Sequence, residues 1–211
     1  MIHTYIANIK NLPDPKTDSG YLLLLDEERQ KRVLRFLREE SRKQSLGAGI
    51  LLQKALKKHG MENSKITFSK NGKPKTDGIF FNLSHSGEFV VCSIGDKDVG
   101  CDIEKAEKER FSVAQRFFTK NENEYLDSFE GEEKKREFFR LWTLKESYMK
   151  LTGEGFSLKL SDFEISFDNG IFVMRENEKC NVHFKEFLLG GYALSVCSYD
   201  DKFSSLELID F

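Results

Sequence analysis

Apolar and polar side chains alternate weakly over residues 1–10, the period of a strand, and Pro13 and Pro15 lie in the loop that follows. Over residues 26–38 the period lengthens to that of a helix. Val33, Phe36 and Leu37 are expected inward, and Arg29, Arg32 and Arg35 share another side. Ser41-Arg42-Lys43-Gln44 has the form of a capping box and predicts the start of a second helix. Ala48, Leu51, Leu52, Ala55 and Leu56 stripe its buried face, and Gly60 marks its end. Strand-like stretches follow at residues 66–69, 79–83 and 89–94, with Asn71-Gly72 as a turn after the first. Residues 99–104 read as another strand, with Asp102 and Glu104 on one face and Cys101 and Ile103 on the other. Thr119-Lys120-Asn121-Glu122 is a second capping box. A long helix over residues 133–150 presents Phe138, Leu141, Trp142, Tyr148 and Met149, and Gly153 and Gly155 stop it. Further strands are expected at residues 163–167, 171–175, 182–188 and 192–199, the first two joined by the turn Asp168-Asn169-Gly170.

This order repeats: helix, strand, Asn-Gly turn, further strands. Val91-Cys92-Ser93-Ile94-Gly95-Asp96-Lys97 also resembles Val196-Cys197-Ser198-Tyr199-Asp200-Asp201-Lys202, at the end of each half. The expected architecture is α+β, built as two similar α/β halves, residues 1–98 and 99–211. A site at their junction is favoured, because clefts between such units are where small molecules bind.

Composition narrows the class. With 39% hydrophobic and 32% charged residues over 211 positions, the chain can bury a sizeable core and is not of the disordered type. Lys plus Arg number 33 against 35 acids, a balance that argues against wholesale binding to nucleic acid or membrane. Cys92, Cys101, Cys180 and Cys197 form no Cys-x-x-Cys pair and sit among apolar neighbours, as reduced buried thiols do. The apolar run at residues 22–25 is too short for a signal peptide core or a membrane span, so a cytoplasmic protein is expected.

Several constellations could carry chemistry. Asp102 and Glu104 on one strand face repel each other unless a cation lies between them. Mg²⁺, which takes oxygen ligands, is the obvious one, and an edge strand ending in solvated acids is the alternative. Glu146 and Lys150 are four apart on the long helix and share a face, whether as an ordinary surface pair or as further members of a site. Asn82-Leu83-Ser84-His85-Ser86-Gly87 ends a strand with groups suited to hold a phosphate, or forms a plain polar turn. The series Arg29, Arg32, Arg35 and Arg38 is a solvated helix face or a phosphate clamp. Glu122, last in its capping box, is read as a helix cap only.

Taken together these fragments resemble the Sfp-type 4′-phosphopantetheinyl transferases. That family carries Gly-x-Asp-x-Glu on a strand and Trp-x-x-Lys-Glu-x-x-x-Lys on a helix some forty residues later. Here the first is Gly100-Cys101-Asp102-Ile103-Glu104 and the second Trp142-Thr143-Leu144-Lys145-Glu146-Ser147-Tyr148-Met149-Lys150. Asn-x-Ser-His-Ser-Gly at residues 82–87, Gly72-Lys73-Pro74 and Arg116-Phe117-Phe118 complete the set, in register over nearly the whole chain.

The resemblance implies transfer of the 4′-phosphopantetheine arm of coenzyme A to a serine of an apo acyl, peptidyl or aryl carrier protein, with release of adenosine 3′,5′-bisphosphate. It implies a pseudo-twofold pair of α/β halves, and Mg²⁺ held by Asp102, Glu104 and Glu146. It places Lys150 at the transferring phosphate, Ser84 and His85 at the coenzyme A 3′-phosphate, and Lys73 at the nucleotide. Arg29 and Arg32 fall where lysines are usual near the nucleotide, and Ser45 where a threonine is usual. Glu146, or a water held by the metal, is then the acceptor of the serine proton. The carrier is expected at residues 106–118 and at the region after the long helix, with Phe111, Val113, Phe117 and Phe118 as contacts or core and Lys105, Lys108 and Arg110 steering an acidic helix. A chain with both halves is expected to be a monomer. A module that binds coenzyme A or a carrier without turnover, and a Mg²⁺-dependent phosphohydrolase, are the competing readings.

Overall fold

The computed structural model describes residues 1–107 and 111–211, and of Phe156 the backbone alone. The chain opens with β1 (Ile2–Asn8), then α1 (Glu27–Leu34) and α2 (Glu39–Lys58). Asp26 caps α1 by accepting the Arg29 N–H. The helix stops at Leu34, four residues short of the predicted end. Phe36 and Leu37 therefore lie in the connector, with Leu37 92% exposed, and of the three residues expected inward only Val33 is buried. The Phe36 and Leu37 carbonyls are instead held by the Arg42 guanidinium, which also pairs with Asp14. α2 begins at Glu39, ahead of the predicted box at Ser41. Glu39 and Glu40 fill its first turn, where the helix dipole favours acids. Its buried stripe is as read, and Gly60 takes a positive φ just beyond its end.

A small hairpin, β2 (Thr67–Phe68) and β3 (Pro74–Lys75), turns at Gly72, and the half closes with β4 (Phe80–Ser86) and β5 (Phe89–Gly95). The second half runs β6 (Val99–Lys105), α3 (Phe111–Phe117), α4 (Lys120–Asp127) and α5 (Gly131–Thr152). It continues with β7 (Phe163–Ser166), β8 (Phe172–Arg175), β9 (Glu178–Lys179), β10 (His183–Leu189), β11 (Tyr192–Ser198) and β12 (Phe203–Leu208). Gly153, at φ 68°, ends α5 as expected.

The two halves share one topology. In the first, β1 pairs antiparallel with β5, which pairs with β4; in the second, β6 pairs antiparallel with β11, which pairs with β10. In each half the first strand precedes a long helix and a small accessory hairpin or sheet, and the other two strands follow them. β12 breaks the symmetry by returning to lie parallel beside β1. The sheets pack on each other through Ile2, Ile6 and Val91 of one and Cys101, Ile103 and Leu194 of the other. On the far faces α2 covers Tyr5, Val90 and Cys92, and α5 packs over Cys197, Phe163 and Ile165.

β4 and β6 are edge strands of separate sheets, yet they meet. The N–H groups of Cys101, Ile103 and Lys105 donate to the side chains of Asn82 (3.0 Å), Ser84 (3.3 Å) and Ser86 (3.0 Å). Alternate side chains of one edge thus replace the backbone ladder for the other, matching two periods of two. On its other side β6 lies directly on α5. A Cβ at Gly100 would overlap the Ser147 carbonyl and the Leu151 amide, which explains a glycine in mid-strand. Gly100→Ala is accordingly expected to force β6 and α5 apart and to destabilise the protein by about 1–3 kcal/mol or more, measured by urea unfolding. An unchanged midpoint would show that the contact is not tight.

Candidate active site

The close approach at Gly100 delivers the α5 side chains to the β6 acids. Lys150 Nζ lies 2.6 Å from Asp102 Oδ1, 3.0 Å from Ser84 Oγ and 3.1 Å from the Cys101 carbonyl oxygen. Ser84 Oγ in turn donates to Asp102 Oδ1 at 2.9 Å, and Ser86 Oγ donates to Glu104 Oε2 at 3.0 Å. Asp102 is buried, and its second oxygen, Oδ2, has no hydrogen-bond partner among the described residues. Burial, then the charge of Asp102, pushes the Glu104 carboxyl up to about 7, and the same two causes raise Glu146. Burial pulls the Lys150 ammonium down, but the negative groups around it, Asp102 first, outweigh that and raise it. Among the described residues no three His, Cys, Asp or Glu side chains close into a ready-made metal cluster. The three acids still act on one another electrostatically, each offers carboxylate oxygens, and one of those oxygens is buried with no hydrogen bond among the described residues. That donor set fits a hard divalent cation such as Mg²⁺.

The arginines of α1 form the second part. Arg29, Arg32 and Arg35 line a cavity of about 800 Å³ with Leu52, Phe68 and Leu83 on its walls. Arg29 is anchored through Nη2 to the Ser45 carbonyl at 2.9 Å, while its buried Nε has no hydrogen-bond partner among the described residues. Burial, then the charge of Arg32, draws its pKa down to about 10, with Asp26 opposing. Arg32 sits over the Phe68 ring at 5.5 Å. Arg38 takes the N-cap position of α2 instead. His85 is accessible to solvent, yet the surrounding protein, followed by the charge of Lys150, holds its imidazole below its ordinary value, and Arg29 acts in the same direction. His85 thus lies within electrostatic reach of both the cavity and the carboxylates.

The remaining expected residues are placed differently. Ser45 is buried and meets Arg29 through its backbone. Lys73 reaches across the joint to Asp98 at 3.6 Å and to the Leu151 carbonyl at 3.1 Å, so it covers the carbonyl end of α5. Glu122 does more than cap α4. Besides closing the capping box with Thr119, it forms an ion pair with Lys145 at 2.6 Å, both fully enclosed, and accepts the Ile165 N–H. Lys145, the lysine just before Glu146, is thereby tied to the α4 and β7 layer rather than to the site. Phe118 is core, Phe111 is half-buried, and of that segment Phe117 is exposed. Lys105 is paired with Glu107, and Lys108 and Arg110 lie outside the described residues. Asn82 and Ser86, read from the sequence as part of a phosphate-holding stretch or a polar turn, instead accept N–H groups of β6, and the cue to that role was their alternation with Ser84. Among the described residues no helix is long and apolar enough to cross a membrane.

Residues 98–197 match the family model of the 4′-phosphopantetheinyl transferase superfamily, and residues 13–95 that of 4′-phosphopantetheinyl transferase, N-terminal. 4′-Phosphopantetheinyl transferase gsp of Aneurinibacillus migulanus is 34% identical over 99% of this chain and 90% of its own length. 4′-Phosphopantetheinyl transferase Sfp of Bacillus subtilis is 28% identical over 87% of this chain and 86% of its own. Among solved structures, a holo-(acyl-carrier-protein) synthase from Bacillus anthracis aligns with 48% of this chain and 93% of its own at 19% identity and a TM-score of 0.42.

The raised Glu104 has a measurable consequence without divalent metal. A carboxyl that titrates higher in the fold than in the unfolded chain leaves the unfolded chain with fewer protons as pH rises, so stability falls with pH. The window runs from the ordinary value of 4.5 to about 7. In urea unfolding, Glu104→Gln is expected to gain stability relative to the parent steadily across that window. A difference that does not change with pH would contradict the raised carboxyl.

Proposed function

This chain belongs to the 4′-phosphopantetheinyl transferase superfamily, and from that premise we propose that it moves the 4′-phosphopantetheine arm of coenzyme A to a serine of an apo acyl or peptidyl carrier protein. The second product is adenosine 3′,5′-bisphosphate. The observation that carries this reading is the buried, half-satisfied Asp102 beside Lys150 at the joint of the halves. Asp102, Glu104 and Glu146 would hold Mg²⁺, which when bound offsets the charge of the pyrophosphate. In this reading residues 1–98 supply the nucleotide contacts, and residues 99–211 the acids and the helix behind them.

The chemistry exchanges one phosphorus–oxygen bond for another. The serine oxygen attacks the pantetheine-side phosphorus, the bond to the bridging oxygen breaks, and the bisphosphate leaves with that oxygen. Glu146, whose raised carboxyl suits a base, takes the serine proton. Lys150, paired with Asp102, donates to the bridging oxygen as charge develops there. Arg29 and Arg32 hold the nucleotide phosphates in the cavity, because guanidinium forks match phosphate oxygens. Neutral His85 donates to the 3′-phosphate. Ser84 joins it at the 3′-phosphate, Lys73 contacts the nucleotide, and Ser45 acts through its hold on Arg29. The carrier docks beside Phe117 and Val113 of α3, with Lys105 at its border. One chain holds both halves, so the working form is a monomer in the cytoplasm.

Incubation with coenzyme A, Mg²⁺ and a panel of apo carrier proteins is expected to add the mass of the arm to at least one. Asp102→Ala should reduce the rate by about a hundredfold or more. Coenzyme A binding without transfer to any carrier would favour a non-catalytic module, and phosphate release without an acceptor would favour a hydrolase. Arg29→Ala is expected to raise KM for coenzyme A with a smaller effect on kcat, because it removes binding remote from the reacting phosphorus. A fall in kcat alone would move Arg29 out of the nucleotide site.

A further inference from the structure

The two seam serines act on neighbouring acids but are not equivalent. Asp102 Oδ1 has two donors, Ser84 Oγ and Lys150 Nζ. Glu104 has one: among the described residues the Ser86 hydroxyl, 3.0 Å from Oε2, is the donor that holds it. That hydroxyl has little freedom. Its oxygen accepts the Lys105 N–H at 3.0 Å, so its single proton turns to the acceptor that remains, the Glu104 carboxylate. Asp102 and Glu146 both repel the Glu104 charge, so without that hydrogen bond a half-buried glutamate would swing toward solvent. Both acids therefore show one pattern. One oxygen is fixed by the seam, and the other, Asp102 Oδ2 or Glu104 Oε1, has no hydrogen bond among the described residues.

We propose that Ser86 is a positioning residue of this site: locked between the Lys105 N–H and Glu104, it fixes one carboxylate oxygen and leaves the other to a divalent cation. The inference rests on the reading of Asp102, Glu104 and Glu146 as metal ligands. Its role differs from that of Ser84, whose acid also has Lys150 as a donor, since the Ser86 hydroxyl is the donor that Glu104 has among the described residues.

The test is Mn²⁺ binding followed by electron paramagnetic resonance, with no substrate present, alongside thermal unfolding of the metal-free protein. Ser86→Ala is expected to weaken Mn²⁺ binding by about ten- to a hundredfold. Ser86→Thr, which keeps the hydroxyl, should restore most of it. Ser86→Cys, nearly isosteric but a much weaker donor, should fall between them and decides the question with the threonine variant if the alanine variant does not fold. Parent-like Mn²⁺ affinity in the alanine variant would overturn the positioning role, as would an equal loss in the threonine variant, which would assign the effect to packing. A parent protein that binds no Mn²⁺ would instead remove the metal reading on which the proposal stands.

Discussion

The structure depends on how the unpaired edge of β6 is satisfied. Three backbone N–H groups along that edge point at β4, whose own backbone is engaged with β5. Left bare inside the protein, each would cost on the order of 1–3 kcal/mol. Asn82, Ser84 and Ser86 accept them, one per strand period, and so weld the two sheets at the joint between the halves. The same hydroxyls then donate to Asp102 and Glu104. A single set of hydrogen bonds therefore closes the fold and aims the acids. Structure and site cannot be varied independently along β4.

Around that seam, charge is placed in two ways. The Lys145–Glu122 pair is fully enclosed, and the lysine and carboxylate also bind the Phe163 carbonyl and the Ile165 amide. A pair so satisfied fixes α5 against α4 and β7, and removing one partner leaves an uncompensated buried charge costing about 3–5 kcal/mol. Burial draws the Lys145 ammonium down, with Glu122 opposing it, so this pair is spent on structure. On an adjacent side of the same helix, Glu146 and Lys150 meet acids that are incompletely satisfied: Asp102 Oδ2 has no hydrogen bond among the described residues, and Glu104 and Glu146 are raised. Unsatisfied charge of this kind marks a functional surface rather than a structural one.

Much of this was legible in the residues. The helical stripe of α2, the long α5, the Asn71-Gly72 turn and the Thr119 capping box all follow from local periodicity and cap chemistry. Where local pattern misled, a distant residue had decided. Phe36 and Leu37 continue the period of α1, but Asp14 and Arg42 seize the connector and hold those two residues outside. Ser41 has capping form, but the turn before it is already helical from Glu39. β12 was not visible because its pairing is with β1, at the opposite end of the chain. α3 was hidden in an aromatic segment that serves core and surface at once.

The sequence by itself determined the repeated order of elements, the spacing of Asp102, Glu104, Glu146 and Lys150, and the arginine series, because periods of two and of three to four residues are local properties. Only the tertiary structure decided that Lys73 covers the end of α5 rather than standing free, that Lys145 is buried with Glu122, and that Ser86 grips Glu104. Each of those outcomes turns on which side chain meets an unpaired donor or charge across the joint between the halves. That matching is set by packing over tens of residues and leaves no local period to read.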